Sequence, residues 1–236
     1  MARALAIIPA YNESESLSAV VADLRRECLD LDVAVVDDGS SDHTAQIAGE
    51  LDVTVIRFSE RLGIGNAVRA GLRYAMRNGY TTAVRVDADG QHSAADVADL
   101  LSALGRGADV VLGSRYLASA AFRPAVLRWS QWCLGLSLSA MTGRSVTDPT
   151  CGFCAFGARA IRLLAEHHPT GYPEPELALL LSRNGLTAIE RPVKQRHRTG
   201  GRTSLTPSRI AAAIARVMLA MLIVPLRRPA PEASGD

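Results

Sequence analysis

Short apolar segments alternate with helical segments over the first 115 residues, and this alternation restricts the fold more than any other feature. Between the segments, apolar residues recur three and four positions apart, as in a helix that packs one face on a core. Near-continuous apolar strands separated by such helices are typical of a parallel sheet covered on both faces. We therefore expect an α/β fold with a mostly parallel central sheet. The expected strands cover residues 4–8, 33–36, 53–57, 82–86 and 109–112.

The helix and strand boundaries follow from turn residues. Pro9 is expected to end the first strand, and Ser14 to cap the first helix, whose apolar stripe is Leu17, Val20, Val21, Leu24 and Cys28. Ser93, followed by Asp96, is expected to cap another helix. Later helices are expected from about residue 42 and over residues 63–77, 123–142, 158–166 and 176–184. Two later strands are expected over residues 153–156 and 187–193.

Composition excludes several classes of protein. The chain has 236 residues, of which 48% are apolar, enough for one large core. Lys and Arg number 26 and Asp and Glu 24, so the net charge of +2 argues against general nucleic-acid binding. Four dispersed cysteines do not predict a disulfide framework or a zinc site, and no signal peptide is apparent. We expect a cytoplasmic protein.

Two carboxylate pairs follow predicted strands. Asp87 and Asp89 flank Ala88 directly after the fourth strand, where both could bind one Mg²⁺ or Mn²⁺ together with phosphate oxygens. Capping of the next helix is the alternative reading. Asp37 and Asp38 end the second strand and could accept hydrogen bonds from a nucleoside, or could simply form a turn. In open parallel sheets, ligands bind beyond such strand ends.

A basic segment precedes the longest apolar run. Arginine and lysine are concentrated between residues 191 and 209, where they could grip phosphate or form a solvated surface. The run from Ile210 to Leu226 is interrupted by Arg216 and is shorter than the ~20 apolar residues a membrane span needs. We expect a helix lying on a membrane surface or on a membrane-protein partner, with core packing or a homodimer contact as alternatives.

Five motifs follow one another along the chain: Ile8-Pro9-Ala10-Tyr11-Asn12-Glu13, Val36-Asp37-Asp38-Gly39-Ser40, Gly63-Ile64-Gly65-Asn66-Ala67, Asp87-Ala88-Asp89-Gly90-Gln91-His92 and Gly113-Ser114-Arg115. Taken in this order, they resemble the family 2 glycosyltransferases with the GT-A fold, most closely the dolichyl- and polyprenyl-phosphate sugar synthases. The resemblance covers about residues 4–205. It implies a domain over residues 1–205, to which this chain is expected to add a helix at 206–226 and a disordered tail at 227–236.

The resemblance implies roles for these residues. The nucleotide-sugar donor, of the UDP or GDP type, would be bound by Pro9, Tyr11, Glu13, Asp37, Asp38, Gly65, Asp87, Ala88 and Gln91. The metal would be held by Asp87 and Asp89. The catalytic group would comprise Asp89, Arg115, Asp148, Glu174 and Glu176. A closing flap would use Arg198 and Arg202. Two departures concern the acceptor side: the arginine usual after Gly-Phe is Cys154 here, and the flap lacks its final lysine.

The resulting hypothesis is inverting transfer of a sugar to a polyprenyl phosphate, on the inner face of the cell membrane. A phosphate is already anionic at neutral pH and needs no strong base. Direct transfer to a hydroxyl of a cell-envelope glycan or a small natural product is the alternative, and it requires a base. Glu176, Glu174 and Asp148 are the candidates, in that order. A further alternative is a partner subunit that binds nucleotide sugar without turnover.

Overall fold

The computed structural model describes residues 3–118, 125–170 and 173–196. Arg198, Arg202 and the helix and tail expected over 206–236 lie outside these ranges. The described strands are β1 (Ala4–Ala10), β2 (Leu31–Asp37), β3 (Thr54–Arg57), β4 (Thr82–Arg85), β5 (Val110–Ser114), β6 (Cys154–Gly157) and β7 (Ala188–Pro192). The described helices are α1 (Leu17–Glu27), α2 (Thr44–Glu50), α3 (Ile64–Arg77), α4 (Ala94–Leu104), α5 (Arg115–Ala118), α6 (Ala125–Thr142), α7 (Ala158–His167) and α8 (Pro173–Arg183).

The strands form one sheet in the order β3-β2-β1-β4-β6-β5-β7. β6 runs antiparallel to both β4 and β5, and the other neighbouring pairs are parallel. Successive residues of β1 point to opposite faces: Ala6 and Ile8 pack with α1, α2 and α4, whereas Leu5 and Ile7 pack with α3, α7 and α8. The mostly parallel sheet with helices on both faces is thus confirmed.

The expectation that Pro9 ends the first strand is wrong. β1 continues to Ala10, and Pro9 pairs with Val36 of β2. The pairing of β1 with β4 stops at Ile7. Because β1 has lost its partner on that side, the missing N–H of proline leaves no ladder bond unmade.

Two helix starts also differ from expectation. α1 begins at Leu17, because Ser14 donates its N–H to Asp42 Oδ2 (3.3 Å) and belongs to the turn before the helix. α8 begins at Pro173 and not at Glu176. Proline suits a first helical turn, where backbone N–H groups have no intrahelical partner. Ser93 does precede α4, but its side chain makes no capping hydrogen bond.

The long helix α6 lies outside the sheet. Leu138 is buried against Leu179 of α8, whereas Trp132 is 63% exposed and Leu136 57% exposed. Those two residues are one helical turn apart and therefore form an apolar stripe on the surface. Among the described helices, none is both long and apolar enough to cross a membrane.

Candidate functional site

The polar clusters expected at strand ends do converge on one edge of the sheet. β1 lies between β2 and β4, and all three run in the same direction. Asp37 ends β2, Tyr11 follows β1, and Asp87 follows β4. With strands about 4.8 Å apart, the ends of β2 and β4 are separated by about 10 Å. This edge is the carboxyl end of the parallel strands, where α/β proteins bind their ligands.

Asp37 holds an oxygen that is buried and has no hydrogen-bond partner. Its Oδ1 accepts the N–H of Ser40 at 3.1 Å. Its Oδ2 lies 3.3 Å from Nε of the exposed Arg57, but within the described ranges no group donates a hydrogen bond to it. A buried acceptor without a donor costs free energy, so such an atom indicates a position that a ligand completes.

The carboxylate of Asp38 already accepts hydrogen bonds from backbone N–H groups of the same chain. It accepts the N–H of Leu62 at 2.7 Å and that of Gly63 at 2.9 and 3.0 Å. Gly39 has φ +68°, and a Cβ there would lie 2.5 Å from the backbone of Glu60. Asp38 and Gly39 thus fasten the loop before α3 to the end of β2. Sequence reasoning treated the two aspartates as interchangeable, and the structure gives them different partners.

The segment after β1 is fixed by side chains from the loop after β2. Asn12 adopts φ +55°, and its Oδ1 accepts the N–H of Ser41 at 2.9 Å. The N–H of Glu13 donates to Thr44 Oγ1 at 2.9 Å. These bonds hold Tyr11 at the sheet edge, where Arg61 lies over its ring at 4.0 Å from the ring centre. From the sequence, Asn12 stands out only as a member of the first motif, and Arg61 belongs to none of the motifs.

The loop after β4 presents two carboxylates. The side chain of Ala88 is buried in the core. Any contact of Ala88 with a nucleotide-sugar donor would therefore be made by its backbone. Asp89 is largely buried, and its Oδ1 accepts the N–H of Gln91 at 3.0 Å across Gly90 (φ +75°). Asp87 is more open, with 27% of its side chain exposed. The core-facing alanine between them therefore anchors the carboxylate-bearing loop.

Two cationic or titratable groups surround Asp87. Arg85 Nε lies 3.1 Å from Asp87 Oδ1, and His92 Nδ1 accepts the Asp87 N–H at 3.1 Å. The His92 ring stacks on Phe153, with ring centres 4.4 Å apart. Burial alone raises the pKa of Asp87, but Arg85 and then His92 outweigh it and hold that pKa below its usual range. Burial lowers the pKa of His92 against the opposing effect of Asp87.

Arg85 is the residue of this site that sequence reasoning missed most clearly. Its side chain is 5% exposed, and besides Asp87 it contacts Glu174 on α8, with Nη1 and Oε1 2.9 Å apart. Arg85 is the last residue of β4, and no sequence pattern predicts that it pairs with a residue 89 positions further along the chain. The signal available was a charged residue inside a run that is otherwise apolar.

Arg115 and Asp148 form a closed pair. Arg115 Nε and Nη2 donate to the two oxygens of Asp148 at 2.6 and 2.7 Å, and Thr150 Oγ1 accepts from Nη2 at 2.8 Å. The Asp148 side chain is fully buried. Burial raises the pKa of Asp148, but Arg115 outweighs it and holds that pKa below its usual range. A carboxylate held in this way is a poor general base.

The remaining expected residues are distributed around this edge. Glu174 and Glu176 both lie in the first turn of α8. Gly65 leaves no room for a side chain, because a Cβ there would lie 2.4 Å from the carbonyl oxygen of Pro169. The close neighbour is thus part of the protein itself. Gln91 Oε1 accepts from Gln195 Nε2 at 2.9 Å, which ties the root of the basic segment to the Asp89 loop.

Cys151 and Cys154 are buried and are not joined in a disulfide. Burial raises the pKa of the Cys151 thiol to about 12 and raises that of Cys154 as well. Both thiols are therefore protonated at neutral pH.

The oxygens of this loop suit a hard cation whose coordination is completed by a bound ligand. Asp87 and Asp89 offer carboxylate oxygens, which Mg²⁺ and Mn²⁺ prefer. No group of three His, Cys, Asp or Glu side chains in the described part of the chain could hold a metal by itself. A cation here would therefore need further oxygens, as the phosphates of a nucleotide provide.

Comparison with known proteins gives consistent results. The model of the family "Glycosyl transferase family 2" matches residues 5–164. Polyprenol monophosphomannose synthase of Mycolicibacterium smegmatis is 33% identical over 230 residues, covering 91% of this chain and 85% of that protein. Undecaprenyl-phosphate mannosyltransferase of Micrococcus luteus is 31% identical over 226 residues, covering 91% and 92%.

A solved structure shares the fold. Glucosyl-3-phosphoglycerate synthase from Mycobacterium tuberculosis, crystallised with Mn²⁺, UDP and glucosyl-3-phosphoglycerate, superposes with a TM-score of 0.67 at 20% identity. The superposition covers 94% of this chain and 79% of that one. The expected GT-A fold is confirmed.

Proposed function

The chain belongs to glycosyl transferase family 2, and on that premise we propose that it transfers a sugar from a nucleoside diphosphate to a polyprenyl phosphate. The observation that carries the donor side is the placement of Asp37, whose buried Oδ2 accepts no hydrogen bond from a described residue, about 10 Å from the Asp87–Asp89 loop on one sheet edge. A nucleoside diphosphate has a polar nucleoside at one end and an anionic diphosphate at the other, and it can span that separation.

Asp37 is the residue we assign to the nucleoside. Its Oδ2 can accept a hydrogen bond from a base N–H or a ribose hydroxyl, whereas Asp38 already accepts from Leu62 and Gly63. Tyr11, with Arg61 over its ring, would form the adjoining wall. Pro9 and Glu13 would shape the same pocket through the backbone that carries Tyr11.

Asp87 and Asp89 would hold Mg²⁺ or Mn²⁺ together with diphosphate oxygens. When bound, such an ion stabilises the negative charge that develops on the departing diphosphate. Arg85 and His92 would hold the Asp87 carboxylate and backbone in place, and Gln91 would line the sugar pocket beside Asp89. Arg198 and Arg202 remain a prediction, as residues that close over the phosphates.

The reaction would be a single displacement. An acceptor phosphate oxygen forms a bond to the anomeric carbon while the bond from that carbon to the donor diphosphate breaks. The leaving nucleoside diphosphate keeps the electron pair, and the configuration inverts. An anionic acceptor needs no proton removed.

The charge pairing in the site engages two of the three candidate bases that a hydroxyl acceptor would require. Of the three candidate bases, Asp148 is bound on both oxygens by Arg115, and Glu174 is paired with the buried Arg85. Glu176, in the first turn of α8, remains the candidate if a hydroxyl is used.

The apolar stripe of Trp132 and Leu136 on α6 also supports a lipid-linked acceptor. Tryptophan is enriched where proteins meet the membrane interface. The names of the M. smegmatis and M. luteus relatives specify polyprenol and undecaprenyl-phosphate chemistry. We therefore place the protein on the inner face of the cell membrane as a peripheral enzyme.

The test is a transfer assay with the full chain, Mn²⁺ and a panel of radiolabelled UDP- and GDP-sugars. Undecaprenyl phosphate is offered in one set of reactions and sugar hydroxyl acceptors in the other. The proposal predicts label in the organic phase only with the lipid, and its loss in Asp89→Asn. Label that appears only in water-soluble glycans would refute the lipid acceptor.

A further inference from the structure

Arg85 is almost fully buried, so the loss of water around its guanidinium must be compensated by other groups. Moving a guanidinium out of water costs several kcal/mol unless carboxylates and hydrogen bonds replace the lost water. Two carboxylates do so here: Asp87 from the loop after β4, at 3.1 Å, and Glu174 from α8, at 2.9 Å. Arg85 therefore joins the loop we assign to the metal with the first turn of α8.

The surroundings of Arg85 are shaped to admit it. A Cβ on Gly152 would lie 2.4 Å from Nη2 and 2.7 Å from Cζ, so any larger residue there displaces the guanidinium. Arg85 stands directly opposite Cys154 in the antiparallel β4–β6 pair, and opposed residues share a face of the sheet. The residue that shares this face of the sheet with Arg85 in the β4–β6 pair is therefore a small thiol.

We propose that Arg85 is a positioning residue that fixes the Asp87 carboxylate for metal-dependent nucleotide binding, with Glu174 and Gly152 holding Arg85 in place. Arg85 acts through Asp87 and does not itself touch the donor. The inference rests on the proposed function, because it assumes that Asp87 binds the metal. Partners that orient a metal-binding side chain typically change metal affinity about 10–100-fold when they are removed.

The experiment measures binding and not turnover. UDP and GDP are each titrated calorimetrically into the full-length protein, once with Mn²⁺ and once with EDTA, and the ratio of the two affinities reports the metal coupling. Arg85→Met should reduce this ratio about tenfold or more. Arg159→Met, which removes an exposed arginine paired with Asp109, is the matched control and should leave the ratio unchanged.

A second variant separates positioning from folding. Arg85→Met leaves Asp87 and Glu174 without their cation and lowers Tm, whereas Arg85→Met/Glu174→Gln removes one of the two unpaired charges. The double variant should recover part of the lost Tm but not the metal coupling. Gly152→Ala, which keeps every charge and displaces the guanidinium, should also reduce the coupling, and Arg85→Lys should restore part of it.

Two results would overturn the inference, and they are distinguishable. A double variant whose metal coupling returns to the wild-type ratio would show that Arg85 only stabilises the fold, and the metal site would stand. Wild-type protein whose affinity for both nucleotides is the same in Mn²⁺ and EDTA would refute the proposed metal site, and the role of Arg85 with it.

Discussion

Asp37 and Asp38 are adjacent and chemically identical, yet the structure predicts opposite consequences for the isosteric substitutions Asp37→Asn and Asp38→Asn. Asp38 accepts the N–H groups of Leu62 and Gly63, and Asp37 Oδ2 accepts from no described residue. The first substitution should therefore impair nucleotide binding and the second should impair stability.

The magnitudes follow from the hydrogen bonds. In Asp38→Asn the amide oxygen can still accept from Leu62 and Gly63, but both hydrogen bonds lose the charge of their acceptor, and an NH₂ group replaces the second oxygen that accepts from Gly63. Weakening these bonds costs about 2 kcal/mol, or about 4–8 °C in Tm for a domain of this size. In Asp37→Asn the oxygen bonded to Ser40 is kept, and Oδ2 becomes a donor. Loss of a charged hydrogen bond to the nucleoside costs about 1.5–3 kcal/mol, or about 10–150-fold in affinity.

The assay combines thermal unfolding, followed by circular dichroism, with calorimetric titration of UDP and GDP in Mn²⁺. Asp37→Asn should unfold close to the wild-type temperature, because the ion pair that it loses is with the exposed Arg57 and is worth little. It should bind its preferred nucleotide at least tenfold more weakly. Asp38→Asn should show the lower Tm and an affinity within a few-fold of wild type. The reverse pattern, with weakened binding in Asp38→Asn alone, would refute the assignment of the two roles.

Three further predictions concern packing, pH and the lipid-facing surface. Gly65→Ala should lower stability by about 1–3 kcal/mol in urea unfolding, because its methyl group meets a backbone carbonyl; unchanged stability would contradict this. Burial lowers the pKa of His168 to about 4, so stability is retained above its unfolded value near 6.5 and lost as pH falls towards 4. His168→Gln should remove about 2 kcal/mol of the loss measured between pH 7.5 and 5, and His167→Gln, on the surface, should not. Trp132→Ser should weaken sedimentation with anionic lipid vesicles several-fold, whereas Leu29→Ser, at a still more exposed position between α1 and β2, should match wild type.

The sheet could be predicted from sequence because β1 and β2 are almost entirely buried and the helices have clear apolar stripes. The extension of β1 through Pro9 could not, since it depends on β4 ending at Arg85, which is a property of pairing and not of the local sequence. The antiparallel insertion of β6 was equally hidden. Cys154–Gly157 is an ordinary short apolar run, and only the tertiary fold decides which strands it separates.

The position of the candidate site could be predicted from the strand ends, but the pairing of the charged side chains within it could not. Asp87 and Asp89 stand where their spacing indicated, on either side of the core-facing Ala88. The closed pair of Arg115 and Asp148 spans 33 residues of sequence, and no spacing rule connects them. Long-range ion pairs of this kind determine which carboxylate is available and which is already engaged.

The central claim is that the sugar is transferred with inversion onto a phosphate. The most direct measurement is the NMR spectrum of the lipid product made by the purified full-length protein from an α-linked nucleotide sugar and a polyprenyl phosphate. The account predicts an anomeric proton coupled to one phosphorus nucleus and in the β configuration. An anomeric proton without phosphorus coupling, or one that retains the α configuration, would contradict it.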